Sequence, residues 1–99
     1  PTTRVCRVAF VYVLRSRATG RFYIGSTSDL ERRLAEHARG HSPYTRDRGP
    51  WELVYREEHA ELAEARRRER QLKGWKSHRL IQQLIELRLG VGVMLLFVQ

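Results

Sequence analysis

Five polar side chains stand where the chain otherwise places apolar residues: Tyr12, Tyr23, Arg33, His37 and Glu69. Tyrosine and histidine can hold or pass a proton, and arginine presents a planar fork that matches a phosphate. A glutamate inside an apolar helical stripe has two explanations: it pairs with a buried arginine, or it binds a cation in a cleft. Each residue also has an ordinary structural account. Tyrosines in strands are usually core residues with a wet hydroxyl, and a histidine or arginine at the edge of a packed stripe keeps its stem covered. No rival chemistry is better supported. Cys6 has no evident activating neighbour, and there is no zinc-ligand spacing, phosphate-cradling glycine loop or serine nucleophile elbow. His59 and His78 fall at element ends and read as solvated.

Hydropathy patterning supplies the elements that must position these residues. VAFVYVL (8–14) is a continuous run of β-branched and aromatic residues, which predicts a strand buried on both faces. RSRATGR (15–21) carries a Thr-Gly turn signal, and FYIGS (22–26) follows as the second strand of a hairpin. There Phe22 and Ile24 share one face, while Tyr23 and Gly25 share the other, with open backbone beside Tyr23. Ser28, Asp29, Leu30 and Glu31 fit a capping box with Ser28 as N-cap, and Gly40 is a plausible stop. A helical projection of this segment places Leu30, Leu34 and Ala38 on one stripe. His37 then lies about 60° and Arg33 about 100° away on the same flank, while Arg32 points elsewhere.

Residues 41–50 form a basic loop, and WELVYRE (51–57) alternates as a third strand with one wetter face. A helix over 61–73 has Leu62, Ala65, Leu72 and the stem of Lys76 on its inner side, with Glu69 in the middle of that face. A third helix over 77–89, capped by Ser77, turns Leu80, Leu84 and Leu87 to one side. The order ββαβαα predicts an α+β fold, a small antiparallel sheet flanked by helices.

The chain has 99 residues, enough for one small domain over 1–89 followed by an apolar tail, 90–99. The tail's run 91–98 is far short of the roughly 20 residues a membrane span needs, so it reads as a docked end or a contact between copies, and no membrane partner is expected. No basic segment precedes an apolar one at the start, and the single cysteine excludes an internal disulfide; both point to a reduced, cytoplasmic setting. Nineteen Lys and Arg against eleven Asp and Glu leave a net charge of +8, a field that favours polyanions but says nothing about catalysis.

Taken together, Phe10-Val11-Tyr12, ten residues of hairpin, Tyr23-Ile24-Gly25, then Arg33, His37 and a later helical Glu69 resemble the GIY-YIG nuclease superfamily, in particular its small single-domain bacterial members. RFYIGSTSDLERRLAEH, SPYT, PWELVYRE and EARRRERQLKGWK extend the likeness. It departs in two places: the first triplet lacks its Gly and Ile while keeping Tyr12, and the segment after about residue 87 is unlike the subgroup. The resemblance implies a three-stranded antiparallel sheet with Tyr12 and Tyr23 side by side, Arg33 and His37 above them, and Glu69 across a cleft.

It also implies a metal-dependent endonuclease acting on DNA phosphodiester bonds, with low sequence specificity or a preference for distorted or branched structure. Glu69 would hold a single Mg²⁺ or Mn²⁺, and Arg33 the phosphoryl oxygens. Tyr12, with a phenol pKa lowered by nearby positive charge, would act as general base assisted by His37, and Tyr23 would position water or phosphate. Tyr44, Arg46, Lys73 and Lys76 are further candidates for substrate contact. DNA is the expected partner, with RNA an alternative, which would place the protein at the nucleoid. Two other classes stand beside this one: a non-catalytic nucleic-acid-binding module on the same scaffold, and a homo-oligomer formed through the tail.

Overall fold

The computed structural model describes residues 8–40, 46 and 49–87. β1 (Ala9–Ser16) is the middle strand of a three-stranded sheet of order β2-β1-β3, antiparallel on both sides. Its β-branched and aromatic run suits that place, because a central strand buries both faces; Val11, Tyr12, Val13 and Leu14 are all buried. β2 (Phe22–Thr27) returns along β1 after a turn in which the buried Ser16 hydroxyl accepts the N–H groups of Ala18 and Thr19. Gly20 closes that turn at φ 77°, a left-handed conformation that favours glycine.

The sheet is covered on both faces. α1 (Leu30–Ala38) packs Leu30 and Leu34 over Tyr12, Leu14, Phe10, Tyr23 and Trp51. The opposite face carries Val11, Val13, Ile24 and Tyr55, which pack against Ala65 and Leu72 of α2 (Leu62–Trp75) and Ile81 and Ile85 of α3, described over 78–87. The expected order and fold class are observed.

Several local expectations need correction. The N-cap of α1 is Asp29, whose carboxylate accepts the Arg32 N–H at 3.0 Å, and not the exposed Ser28. The Thr27 hydroxyl accepts the Asp29 N–H, so the chain turns one residue later than the capping-box spacing implies. Ala38 is exposed, and His37 is the buried residue of the last turn. β3 (Trp51–His59) contains an irregularity: Val13 pairs with Tyr55 but Leu14 pairs with Leu53, so Val54 is an extra residue. This bulge resets the alternation. Trp51 lies on the α1 side and Tyr55 on the α2 side, so the wetter face does not follow the expected alternation: Leu53, Arg56 and Glu58 are the exposed residues of β3.

Lys76 lies beyond the end of α2 in a left-handed cap at φ 48° and is exposed; Trp75 packs against the core where the Lys76 stem was expected. α3 does begin at the Ser77 cap, but it buries Ile81 and Ile85 while Leu80 and Leu87 are 43% and 69% exposed. With apolar residues on several sides of that helix, periodicity alone could not set its phase.

His59 is bonded to Glu57, which also accepts from the Tyr55 hydroxyl and, through both oxygens, from Arg68. Burial alone would raise the Glu57 pKa, but the bonds from Arg68, Tyr55 and His59 hold it below its ordinary value. The group clasps β3 to α2. His78 is exposed yet stacks its ring on Phe22 at 4.4 Å. Neither histidine is merely solvated. No helix among the described residues is long and apolar enough to cross a membrane. Cys6, Tyr44 and the tail 90–99 lie outside the described residues.

Candidate active site

The site begins with a cross-strand pair. Tyr12 is opposite Gly25, and the phenol ring lies directly over that glycine: a Cβ at residue 25 would meet the Tyr12 hydroxyl oxygen at 2.5 Å and Cζ at 2.6 Å. The space foreseen at Gly25 is thus filled by Tyr12. Gly25→Ala is expected to displace the ring and cost about 1–3 kcal/mol, as overpacking does; a wild-type melting curve for this variant would show that the ring tolerates the methyl group.

With its ring laid across β2, the Tyr12 hydroxyl comes to 2.9 Å from His37 Nε2. His37 is 4% exposed, one residue before the end of α1, with its ring edge-on to Tyr12 at 5.8 Å and to Tyr23 at 5.0 Å. Burial, with the Arg33 charge beside it, outweighs the pull of Glu36 and lowers the His37 pKa to about 4. Its imidazole is therefore neutral at neutral pH.

Arg33, one turn earlier, is held by Glu36 at 2.8 Å and lies beside the hydroxyls of both tyrosines. Glu36 raises its pKa further, so it is a permanent cation. The Tyr12 phenol is pushed up to about 12, first by burial and then by the neighbouring Tyr23, against the opposing effect of Arg33. This corrects the expectation of a lowered phenol. Enclosure by β2 and α1 makes a phenolate costly, and Arg33's charge is partly spent on Glu36.

Glu69 reaches the cluster from the other layer. Its Oε1 accepts the Ser26 hydroxyl at 2.5 Å and its Oε2 accepts Lys73 Nζ at 2.6 Å. The partner is thus an exposed lysine one turn away, and not the buried arginine that a structural ion pair would require. Glu69 still acts electrostatically on the Tyr12 phenol, so the cluster straddles the β2 edge. Among the described residues no group of three metal-ligating side chains occurs. The donor set fits a hard cation that keeps most of its waters and takes one carboxylate. The lysine now on that carboxylate is half exposed, and displacing such an i,i+4 pair costs only about 0.3–0.5 kcal/mol.

The four side chains Tyr12, Tyr23, Arg33 and His37 are together, and Glu69 lies at Ser26 on the α2 side of β2. Two clefts adjoin them. One, of about 540 Å³, is bordered by His37, Trp51 and the exposed Arg46. The other, of about 470 Å³, is bordered by Tyr23, Lys73, Lys76 and Arg21. Sequence reasoning missed Ser26, Glu36 and Trp51. Ser26 had a readable signal, since strand alternation puts it on the Ile24 face, toward α2.

Residues 8–82 match the family model described as the GIY-YIG catalytic domain. Among curated proteins, the chain is similar to the UPF0213 protein BH0048 of Halalkalibacterium halodurans, at 39% identity over 82% of this chain and 85% of that protein. It is also similar to a UPF0213 protein of Streptococcus pneumoniae serotype 4, at 46% identity over 66% of each chain. Among solved structures, the solution NMR structure of the UPF0213 protein BH0048 from Bacillus halodurans superposes with a TM-score of 0.53 at 38% identity, covering 81% of this chain and 84% of that one. The motif residues, the sheet that presents them and these matches agree, and the chain belongs to the GIY-YIG family of nuclease-type catalytic domains.

Proposed function

We propose that this protein is a divalent-metal-dependent endonuclease that hydrolyses DNA phosphodiester bonds with little sequence preference, acting at the nucleoid. The observation that carries the reading is the buried contact of the Tyr12 hydroxyl with a neutral His37, flanked by Arg33. A neutral ring protonated at Nδ1 accepts the Tyr12 proton at Nε2. As an attacking water gives a proton to the phenol oxygen, the phenol passes its own to His37, so no free phenolate is required. Arg33 neutralises the phosphoryl oxygens, and Tyr23 orients the water or the phosphate. A Mg²⁺ or Mn²⁺ held by Glu69 would supply positive charge for the leaving 3′ oxygen. Lys73, Lys76 and Arg46 border the clefts on either side, where they can hold flanking phosphates.

The test is incubation with supercoiled plasmid and with branched DNA, in Mg²⁺, Mn²⁺ or EDTA. Nicking that needs metal supports the enzyme. A gel shift without cleavage, in every metal, overturns it in favour of a binding module. Arg32 and Arg33 provide an internal control, because their side chains are 61% and 29% exposed. Arg33→Ala is expected to lower kcat by about 10²–10³-fold, and Arg32→Ala to change it little. Equal losses would show that Arg33 acts only as surface charge.

A further inference from the structure

We infer that the cleft beside His37 receives one unstacked nucleobase of the nucleotide next to the reacting phosphate, stacked on Trp51. This rests on the nuclease reading of the adjoining site and adds a substrate class to it: DNA with an unpaired nucleotide close to the cut. The cleft, about 540 Å³, has Leu14, Leu34, Pro50 and Trp51 as its apolar walls, with Arg46 exposed at its border and His37 shared with the site. Leucine walls give a phosphate nothing to bond, and a purely apolar ligand has no use for a guanidinium. A base attached to its phosphate matches both parts of the lining.

The indole is already held in place. Its ring stands edge-on to Tyr23 at 6.4 Å, and it packs so closely on Gly49 that a Cβ there would lie 3.0 Å from Trp51 Cδ1. A base inside a duplex has both faces covered by its neighbours, so only a flapped, bulged or otherwise unpaired base can use this wall. The net charge of +8 supplies general attraction to the backbone, and the cleft supplies the discrimination.

The experiment is done in EDTA, so that binding is read without cleavage. Trp75→Phe leaves Trp51 as the sole tryptophan. A duplex with a one-base bulge is expected to quench its emission, while a flush duplex of equal length is not. A bulge bearing an abasic sugar should bind roughly ten-fold more weakly and quench little. A 2-aminopurine placed at the bulge reports the same stacking with the unmodified chain, should the Trp75 variant fold poorly. Trp51→Leu is expected to bind bulged and flush duplexes alike.

Equal quenching by flush and bulged DNA overturns the inference, as does quenching by the abasic bulge or a bulge preference that survives Trp51→Leu. Base-dependent quenching in a protein that cuts nothing with metal would sustain the cleft and overturn the nuclease reading. Cutting without base-dependent quenching would do the reverse.

Discussion

Glu69→Gln is expected to reduce metal-dependent nicking by on the order of 10³-fold or more, while folding stability stays within about 1 kcal/mol of wild type. The two halves of this result have separate causes. The carboxylate is bonded to Ser26 and to the half-exposed Lys73. A glutamine keeps an oxygen for the Ser26 hydroxyl, and an exposed i,i+4 pair is worth only about 0.3–0.5 kcal/mol. Had the partner been a buried arginine, the same change would strand a charge and cost about 3–5 kcal/mol. Removing a negative charge beside the phosphate site should leave DNA affinity equal or tighter. Melting, gel shift and nicking on one preparation decide the matter. A loss of several kcal/mol would make Glu69 a structural residue, and a stable variant that still cuts would remove it from the mechanism.

Tyr12→Phe is expected to lower the cleavage rate by about 10²–10⁴-fold, the range for a general acid–base group, at a stability cost near 1 kcal/mol for the lost hydroxyl bond. The pH dependence separates a relay from a free phenolate. With His37 at about 4 and Tyr12 pushed up to about 12, neither group titrates near neutral pH. The wild-type rate should show no inflection from these groups there, and should fall in acid as His37 takes a proton and can no longer accept one. A rate inflection near pH 7 that vanishes in Tyr12→Phe would restore the lowered phenol and overturn the relay.

Stability should follow the same residue. An unfolded histidine titrates near 6.5 and the folded His37 near 4, so the unfolded chain binds the proton first. The His37 contribution is whole above pH 6.5 and is lost as pH falls toward 4, on the order of 2–3 kcal/mol. His37→Gln should lack that slope.

Much of the scaffold was legible because short-range physics dictates it. A run such as VAFVYVL has one good solution, a central strand, and the Thr-Gly turn returns it as a hairpin. Strand alternation correctly put Tyr23 on one face and Phe22 with Ile24 on the other. Errors collected where two local solutions differ by a single residue. Asp29 and Ser28 are both good caps, and a hydroxyl on Thr27 decided between them. The extra Val54 in β3 leaves no mark in the hydropathy pattern, because Trp51, Leu53, Val54 and Tyr55 are apolar whichever way they face.

By itself the sequence determined the element order, the two faces of β2 and the presence of five polar residues, Tyr12, Tyr23, Arg33, His37 and Glu69, at or beside packed faces. It could not determine their electrostatics. Whether Tyr12 is acidic or inert depends on how completely α1 and β2 enclose it, and the contact of Glu69 with Ser26 depends on how α2 packs on the sheet, whereas its pairing with Lys73 is local to the helix. Desolvation and charge–charge energies are set by distances between residues far apart in the chain, 25 positions for Tyr12 and His37 and 43 for Ser26 and Glu69. Propensity and periodicity act over a few residues, so they place each group on its element; only the packing of α1 and α2 on opposite faces of one sheet brings those groups to the same edge.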